Sequence, residues 1–235
     1  SSVLTTTHII DSSDYVIGFG FSWLLPIKYD LYLIESASRD YIGADSLNLL
    51  DNPKEINIAS LKLCELRKSE FPSTILCLKN ILSDLVNKSE ISAGSHKYID
   101  MCLDEMSVIG LGGMYTKNQH YWNEEILTGD YSYFLQSETT ATTAISIAYK
   151  MGFKKIIIHG LDGKGVHFFK SKEYVPEEKV KEIANLLIKL ISSSDDESSR
   201  EAGLSLVKTM GSFKAILKEK GCNLSEALSL IRKKA

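Results

Sequence analysis

Apolar and polar positions along the 235-residue chain fall into short closed runs and helical stripes. "DYVIGFG" (14–20) is an apolar run closed by glycines, and it predicts a buried strand. "YDLYLIES" (29–36) predicts a second strand ending at Glu35 and Ser36. "IASLKLCELRKSE" (58–70) has helical spacing, "STILCLK" (73–79) reads as a strand, and "NILSDLVN" (80–87) as a short helix. "MSVIGLGGMY" (106–115) suits a strand with a glycine turn, and "KNQHYWNEE" (117–125) a polar, aromatic loop.

The clearest unit follows. Ala141, Ala144, Ile145, Ala148 and Met151 share one helix face, and Gly152 stands where a C′ glycine belongs. "KKIIIHG" (154–160) then has the continuous apolar run of a parallel strand buried on both faces. "VPEEKVKEIANLLIKLI" (175–191) predicts a helix with Pro176 at N1, acids at its start, and a stripe of Val180, Ile183, Leu187 and Leu190. "SSSDDESS" (192–199) has no apolar anchor and predicts a segment without regular structure. A further helix over about 200–220 has Leu206, Met210, Phe213 and Leu217 on one face and Gly221 as its stop. "NLSE" (223–226) has the form of a capping box opening a last helix. The expected fold is α/β: a Rossmann-like parallel sheet flanked by helices, in a single domain over 1–235. A lid-like insertion at 163–200 and a helical C-terminus complete it.

Composition narrows the function. A net charge of −3 disfavours non-specific nucleic-acid binding, which needs a basic face. Cys64, Cys77, Cys102 and Cys222 form no C-x-x-C pair, which points away from zinc and redox motifs and towards a reducing, cytoplasmic setting. No apolar run is long enough to span a bilayer. The basic terminus "IRKKA" is the feature that would suit peripheral contact with the inner face of a membrane.

Ligands of open parallel sheets sit beyond the carboxyl ends of the strands. Gly18 and Gly20 lie at one such end, Glu35 and Ser36 at a second, and His159-Gly160-Leu161-Asp162 at a third. Each reads either as turn chemistry or as part of a site. The "GFG" at 18–20 is no dinucleotide fingerprint, because Trp23 stands at the third glycine and Pro26 interrupts any following helix. "GLDGKG" (160–165) lacks the Walker spacing, although Lys164 offers a positive charge to a phosphate. In "SETTATTA" (137–144), Ser137, Thr139 and Thr140 stand at a helix start, where free N–H groups attract anions; Thr142 and Thr143 lie further in. A simple cap needs one hydroxyl, so the run favours a phosphate or ribose. Among His8, His96, His120, His159 and His167 there is no metal-binding spacing. His159 suits a buried strand end. His167, beside Phe168 and Phe169, suits packing or catalysis, and His120, beside Tyr121 and Trp122, suits stacking on a sugar or base.

"TTATTAISIAYKMGFKKIIIHGLD" (139–162) resembles a segment of the bacterial lipooligosaccharide sialyltransferases. It is similar also to their wider relatives, the motility accessory factors and the archaeal hydroxymethylpterin diphosphokinases. The shared pattern is a Thr/Ser-Gly pair opening a helix, then G-[FY]-K-x-I and a strand ending in Gly-[IVL]-Asp. Gly152, Phe153, Lys154, Gly160, Leu161 and Asp162 match it, while Ala141 replaces the glycine. Phe19–Gly20 and Glu35 stand where the family commonly has nucleotide-contacting asparagines, and Lys164 stands near a phosphate-holding tyrosine. "SSVL" looks like the residues just after the family's phosphate-cradling loop, which implies that the family's first strand would precede Ser1.

The resemblance implies a glycosyltransferase of bacterial surface-glycan synthesis, lipopolysaccharide or capsule, using a CMP-nonulosonate or CMP-Kdo donor and a glycan acceptor. His167 or Asp162 would be the base. Thr139, Thr140, the helix N-terminus and Lys164 would hold the leaving phosphate without a metal. The alternatives are a magnesium-ATP phosphotransferase of the pterin diphosphokinase kind, with Glu35, Asp130, Glu138 and Asp162 as metal ligands, and a degenerate non-catalytic module. The absence of any histidine from 170–200 favours the module.

Overall fold

The apolar runs of the first half of the chain pair as a parallel sheet. In the computed structural model β1 (Ile17–Phe19), β2 (Leu31–Glu35), β3 (Ile75–Lys79) and β4 (Val108–Leu111) lie in the order β1-β2-β3-β4. All three pairings are parallel, with Ile17 opposite Leu31, Leu31 opposite Ile75, and Leu76 opposite Val108. The structure describes residues 2–12, 14–35, 59, 62–63, 66–67, 69–79, 108–111, 113–115, 134–136, 140–160, 167–191 and 193–227. The chain forms two compact units. Residues 15–113 and 175–195 make the sheet unit; residues 1–14, 114–174 and 196–235 make the second, here called the threonine-helix unit. The fold is therefore mixed α/β, with small parallel sheets and helices. None of the described helices is long and apolar enough to cross a membrane.

Residues 20–30 alone join β1 to β2, a short link for a parallel crossover. The link closes because it carries its own core. Gly20 turns the chain at φ +62°, a 3-10 turn spans Ser22–Leu24, and Trp23, Leu24 and Leu25 are buried. The Trp23 and Tyr32 rings stack at 3.9 Å, and Tyr29 meets both edge-on. The Tyr32 hydroxyl donates to the Gly20 carbonyl at 2.5 Å and accepts the Trp23 backbone N–H at 3.4 Å. Tyr29 donates to Ser22 O at 3.0 Å, and burial pushes its phenol up to about 12. At the strand starts, Asp30 Oδ2 accepts the Val16 N–H at 2.8 Å and Thr74 Oγ1 donates to Tyr29 O at 2.5 Å. These two side chains set the register of β1, β2 and β3.

The segment 58–70 is helical at its described positions, and Ala59, Leu63 and Arg67 are buried. Arg67 is fully buried. Its Nε donates to Trp23 O at 2.8 Å and Nη2 to Leu25 O at 3.2 Å, while Nη1 and Nη2 reach Glu70 and Glu177 at 2.6 Å each. Glu177 is the N-cap residue of a helix over Glu178–Leu190. That helix starts two residues later than Pro176 at N1 would require, because Glu177 keeps extended backbone (ψ 147°) with its carboxylate on Arg67. Lys179 closes the network on Glu70 at 2.6 Å. Burial raises the Glu70 carboxyl, but hydrogen bonds and charge from Lys179 and Arg67 outweigh it and hold the group below its ordinary value.

In the threonine-helix unit, α1 (Ser2–Thr6) leads into a 3-10 turn at Thr7–Ile9. β5 (Gly113–Tyr115) pairs with β6 (Phe134–Gln136). Next come α2 (Thr140–Lys150) and β7 (Lys155–Ile158). The Glu178–Leu190 helix of the sheet unit is α3; α4 (Ser193–Glu219) and β8 (Asn223–Glu226) follow. Two expectations are corrected here. The acidic stretch from Ser193 to Ser199 is the start of α4, not irregular chain. "NLSE" is strand β8, and helical backbone begins only after it, at Ala227: the strand lies parallel to β7, with Lys155 opposite Asn223 and Ile158 opposite Glu226, and Leu224 is buried. The open edge of β7 supplies a ladder worth more to these backbone groups than a new helix nucleus. β7 itself is only half covered: Lys155 is exposed, Ile156 buried, Ile157 and Ile158 half-buried.

Two matched turns place β7 beside β8. Gly152 (φ +90°) donates to Tyr149 O and Phe153 to Ala148 O; Gly221 (φ +76°) donates to Lys218 O and Cys222 to Leu217 O. Both are Schellman ends of a helix, and each releases the chain directly into a strand. The Asn223 N–H to Lys154 O bond of 2.8 Å sets the register between them.

Two substitutions test the sheet unit. A Cβ at Gly18 would stand 2.6 Å from Tyr29 Cδ1 and 2.7 Å from Tyr32 Cδ2. Gly18→Ala should therefore cost about 1–3 kcal/mol of overpacking in urea unfolding followed by tryptophan fluorescence. Arg67→Ala strands two carbonyls and two carboxylates and should cost about 3–5 kcal/mol, with Arg67→Lys recovering only part of it.

Candidate functional site

The residue pattern that drew most attention, the threonine run, forms the first turns of α2. The helix begins at Thr140, and its first turn holds no acid. From Ala141 to Ala148 every residue is buried, so this helix is enclosed on all sides for two turns. Its hydroxyls, Thr142, Thr143 and Ser146, are therefore interior groups. Thr142 and Ser146 are bonded. Thr143 is fully buried, and its Oγ1 has no hydrogen-bond partner among the described residues. Such an atom forfeits its solvation without replacement, at a cost of about 1–3 kcal/mol. Cα–Cβ bonds in a helix lean towards its amino end, where the first N–H groups also lack intrahelical partners. The start of α2 thus combines donor groups, a positive dipole end and a hydroxyl without a partner among the described residues.

α2 packs against β6 and β7. Beyond the end of β7, His159 is half-buried, and its Nδ1 pairs with Thr6 Oγ1 at 3.1 Å. Burial is the largest influence on this imidazole and lowers its pKa, with Asp14 and the contact to Thr6 opposing. Gly160 turns at φ +82°, and a Cβ there would approach the Val3 side chain to 3.3 Å. The short α1 therefore sits against the carboxyl end of β7. The sequence pattern does not announce this contact: Thr6 and Val3 carry no motif, and their partners lie more than 150 positions away.

His167 precedes the 3-10 turn Phe168–Lys170. Its ring stacks on the buried Phe169 at 5.1 Å, and Phe168 meets Phe169 and Tyr174 edge-on. Packing is what the structure shows for this histidine. In the sheet unit, Gly18 is closed in by Tyr29 and Tyr32, Gly20 forms the turn under the Tyr32 hydroxyl, and Glu35 ends β2 in register with Lys79. The predicted site residues thus divide between units: Gly18, Gly20 and Glu35 in one, and Thr140, Gly160 and His167 in the other. Ser137, Thr139, Asp162 and Lys164 lie outside the described residues, as do His120, Asp130 and Glu138. Among the described residues no group of three or more His, Cys, Asp or Glu side chains is placed to hold a metal ion.

The His159 environment has a signed consequence. The folded chain binds a proton at His159 less readily than the unfolded chain, whose value is near 6.5. Above that value both states are neutral there and nothing is lost. As pH falls through it the unfolded state charges first, so stability drops. His159→Gln should flatten the part of the unfolding profile between about pH 7 and pH 5, and parallel wild-type and variant profiles would contradict the assignment. Glu70 acts in a lower window, its stabilisation being lost only as pH falls below the carboxylate's ordinary 4.5.

No protein-family model matches the chain, and neither a curated protein nor a solved structure matches it significantly.

Proposed function

We propose that the chain is a glycosyltransferase that takes a nucleotide-activated sugar, of the CMP-nonulosonate or CMP-Kdo type, and seats the donor phosphate at the start of α2. One observation carries the reading: the amino end of a buried helix whose Thr143 hydroxyl has no partner among the described residues. An anionic oxygen there would meet backbone N–H groups, the positive end of the helix dipole and neighbouring hydroxyls, with no acid in the first turn to repel it. The resemblance of 139–162 to the sialyltransferase segment supports the same placement, since α2, the Gly152 turn and β7 form the helix–glycine–strand order that this pattern requires. In the transfer, the nucleotide phosphate leaves as the acceptor hydroxyl attacks the anomeric carbon. The protein must stabilise the departing charge and accept the hydroxyl proton. Thr140, the helix N–H groups and Lys164 are assigned the first task. Asp162 or His167 is assigned the second.

A thermal-shift panel of CMP, UDP, ATP and GDP, with and without EDTA, tests this. CMP at about 100 times its Kd should stabilise by about 2.7 kcal/mol, unchanged by EDTA, and Thr140→Val should reduce the shift. A response confined to magnesium-ATP would replace the reading by a phosphotransferase. A flat panel overturns it in favour of a non-catalytic module.

A further inference from the structure

The carboxyl end of β7 and the amino end of α2 lie at the same end of the threonine-helix unit. α2 packs on β7 and passes into it through the tight Gly152 turn, so helix and strand run in opposite directions. A group just beyond β7 therefore stands at the end where α2 begins, which is also where ligands of parallel strands sit. His159 is that group, the first residue after the strand.

The His159 ring is held from one side and open on the other. Nδ1 lies 3.1 Å from Thr6 Oγ1, and that hydroxyl donates to the Val3 carbonyl at 3.5 Å. A hydroxyl whose hydrogen is given to a carbonyl meets the imidazole with a lone pair, so Nδ1 carries the ring hydrogen. The hydrogen bond between this ring and the Thr6 backbone favours the charged imidazole, as an accepting carbonyl does and an N–H does not. It calls for the same tautomer. Nε2 is then a bare lone pair, with no partner among the described residues. Thr6 is fully buried and makes a fixed anchor, while His159 is half-buried. Burial holds the imidazole below its ordinary value, against Asp14 and Thr6, so the ring is neutral near neutral pH and ready to accept a proton. The ring of His167, by contrast, is stacked on Phe169.

We infer, resting on the glycosyltransferase reading above, that His159 is the general base of the transfer and that Thr6 is its positioning residue. The acceptor oxygen forms its bond to the anomeric carbon. The bond from that carbon to the donor phosphate oxygen breaks, and its electron pair leaves with CMP. The hydroxyl proton passes to His159 Nε2 and from there to solvent. Thr6 keeps Nε2, rather than Nδ1, as the accepting atom.

Two measurements on the full chain test this. Nitrogen NMR of the imidazole at about pH 8, where it is neutral, should place the hydrogen on Nδ1. A hydrogen on Nε2 overturns the assignment whatever the nucleotide panel gives. The second measurement is CMP release from CMP-N-acetylneuraminate and CMP-Kdo, with water as the acceptor. His159→Gln should lower kcat about 1000-fold with KM little changed, and should keep the thermal shift with CMP. Thr6→Val should lower kcat by up to about 100-fold through misplacement of the ring, and Thr6→Ser should recover it. Circular dichroism identifies any variant that fails to fold. A chain that CMP stabilises and that turns over equally fast with His159→Gln overturns the role of His159 and leaves the donor reading standing. A chain that no nucleotide stabilises overturns both.

Discussion

A single buried guanidinium organises the sheet unit. Arg67 has no exposed surface, yet its charge must be matched, because an unpaired buried cation is far costlier than an exposed one. The matching comes from three places along the chain: the carbonyls of Trp23 and Leu25, the Glu70 carboxylate one turn away, and the distant Glu177 at the start of α3. Each partner is held where the guanidinium fork needs it. The β1–β2 link is thereby tied to the helical segment and to α3. Its fixed position lets Trp23 stack on Tyr32, and that stack leaves room only for a glycine at position 18. Trp23 Nε1, buried and without a partner among the described residues, is the polar cost of the arrangement.

The threonine-helix unit solves a different problem. β7 is too short and too exposed to stand alone, and β8 completes it. Both strands emerge from helices through the same glycine device, so the two chain reversals are congruent and the strands enter side by side and parallel. The start of α2 is then enclosed while its hydroxyls remain polar. This tension, a buried helix end rich in groups that favour anions, underlies the assignment of a phosphate site there. The His159–Thr6 pair at the end of β7 closes the neighbouring edge with neutral groups, since burial disfavours the charged imidazole.

Much of the local structure was legible. The strands at 17–19, 31–35 and 75–79 were read from closed apolar runs, and α2, α3 and most of α4 from helical stripes. Gly152 and Gly221 were read as helix stops because only glycine accepts their positive φ without strain. "NLSE" misled because a capping box and a short strand can share the same four residues. Its hydroxyl and carboxylate suit a helix start, while Leu224 suits a core position once β7 is beside it. The acidic start of α4 misled because it has no apolar stripe of its own; it is carried as an extension of a helix anchored further on by Leu206 and Met210. Of the candidate site, the hydroxyl-rich helix start was visible in the sequence, and the burial of Thr143 was not, because no local pattern distinguishes a threonine that packs from one that is enclosed.

The sequence by itself determined where the chain can be strand or helix and where it must turn, since periodicity and glycine conformation act over a few residues. It also determined the anion-favouring chemistry of the threonine run. Only the tertiary structure decided which strands pair, which arginine is buried, and that Gly18 serves packing against two tyrosines. It alone brought Thr6 to His159 and left a hydroxyl of α2 without a partner among the described residues. These depend on contacts between residues far apart in the chain, and desolvation is a property of the assembled surroundings rather than of any segment.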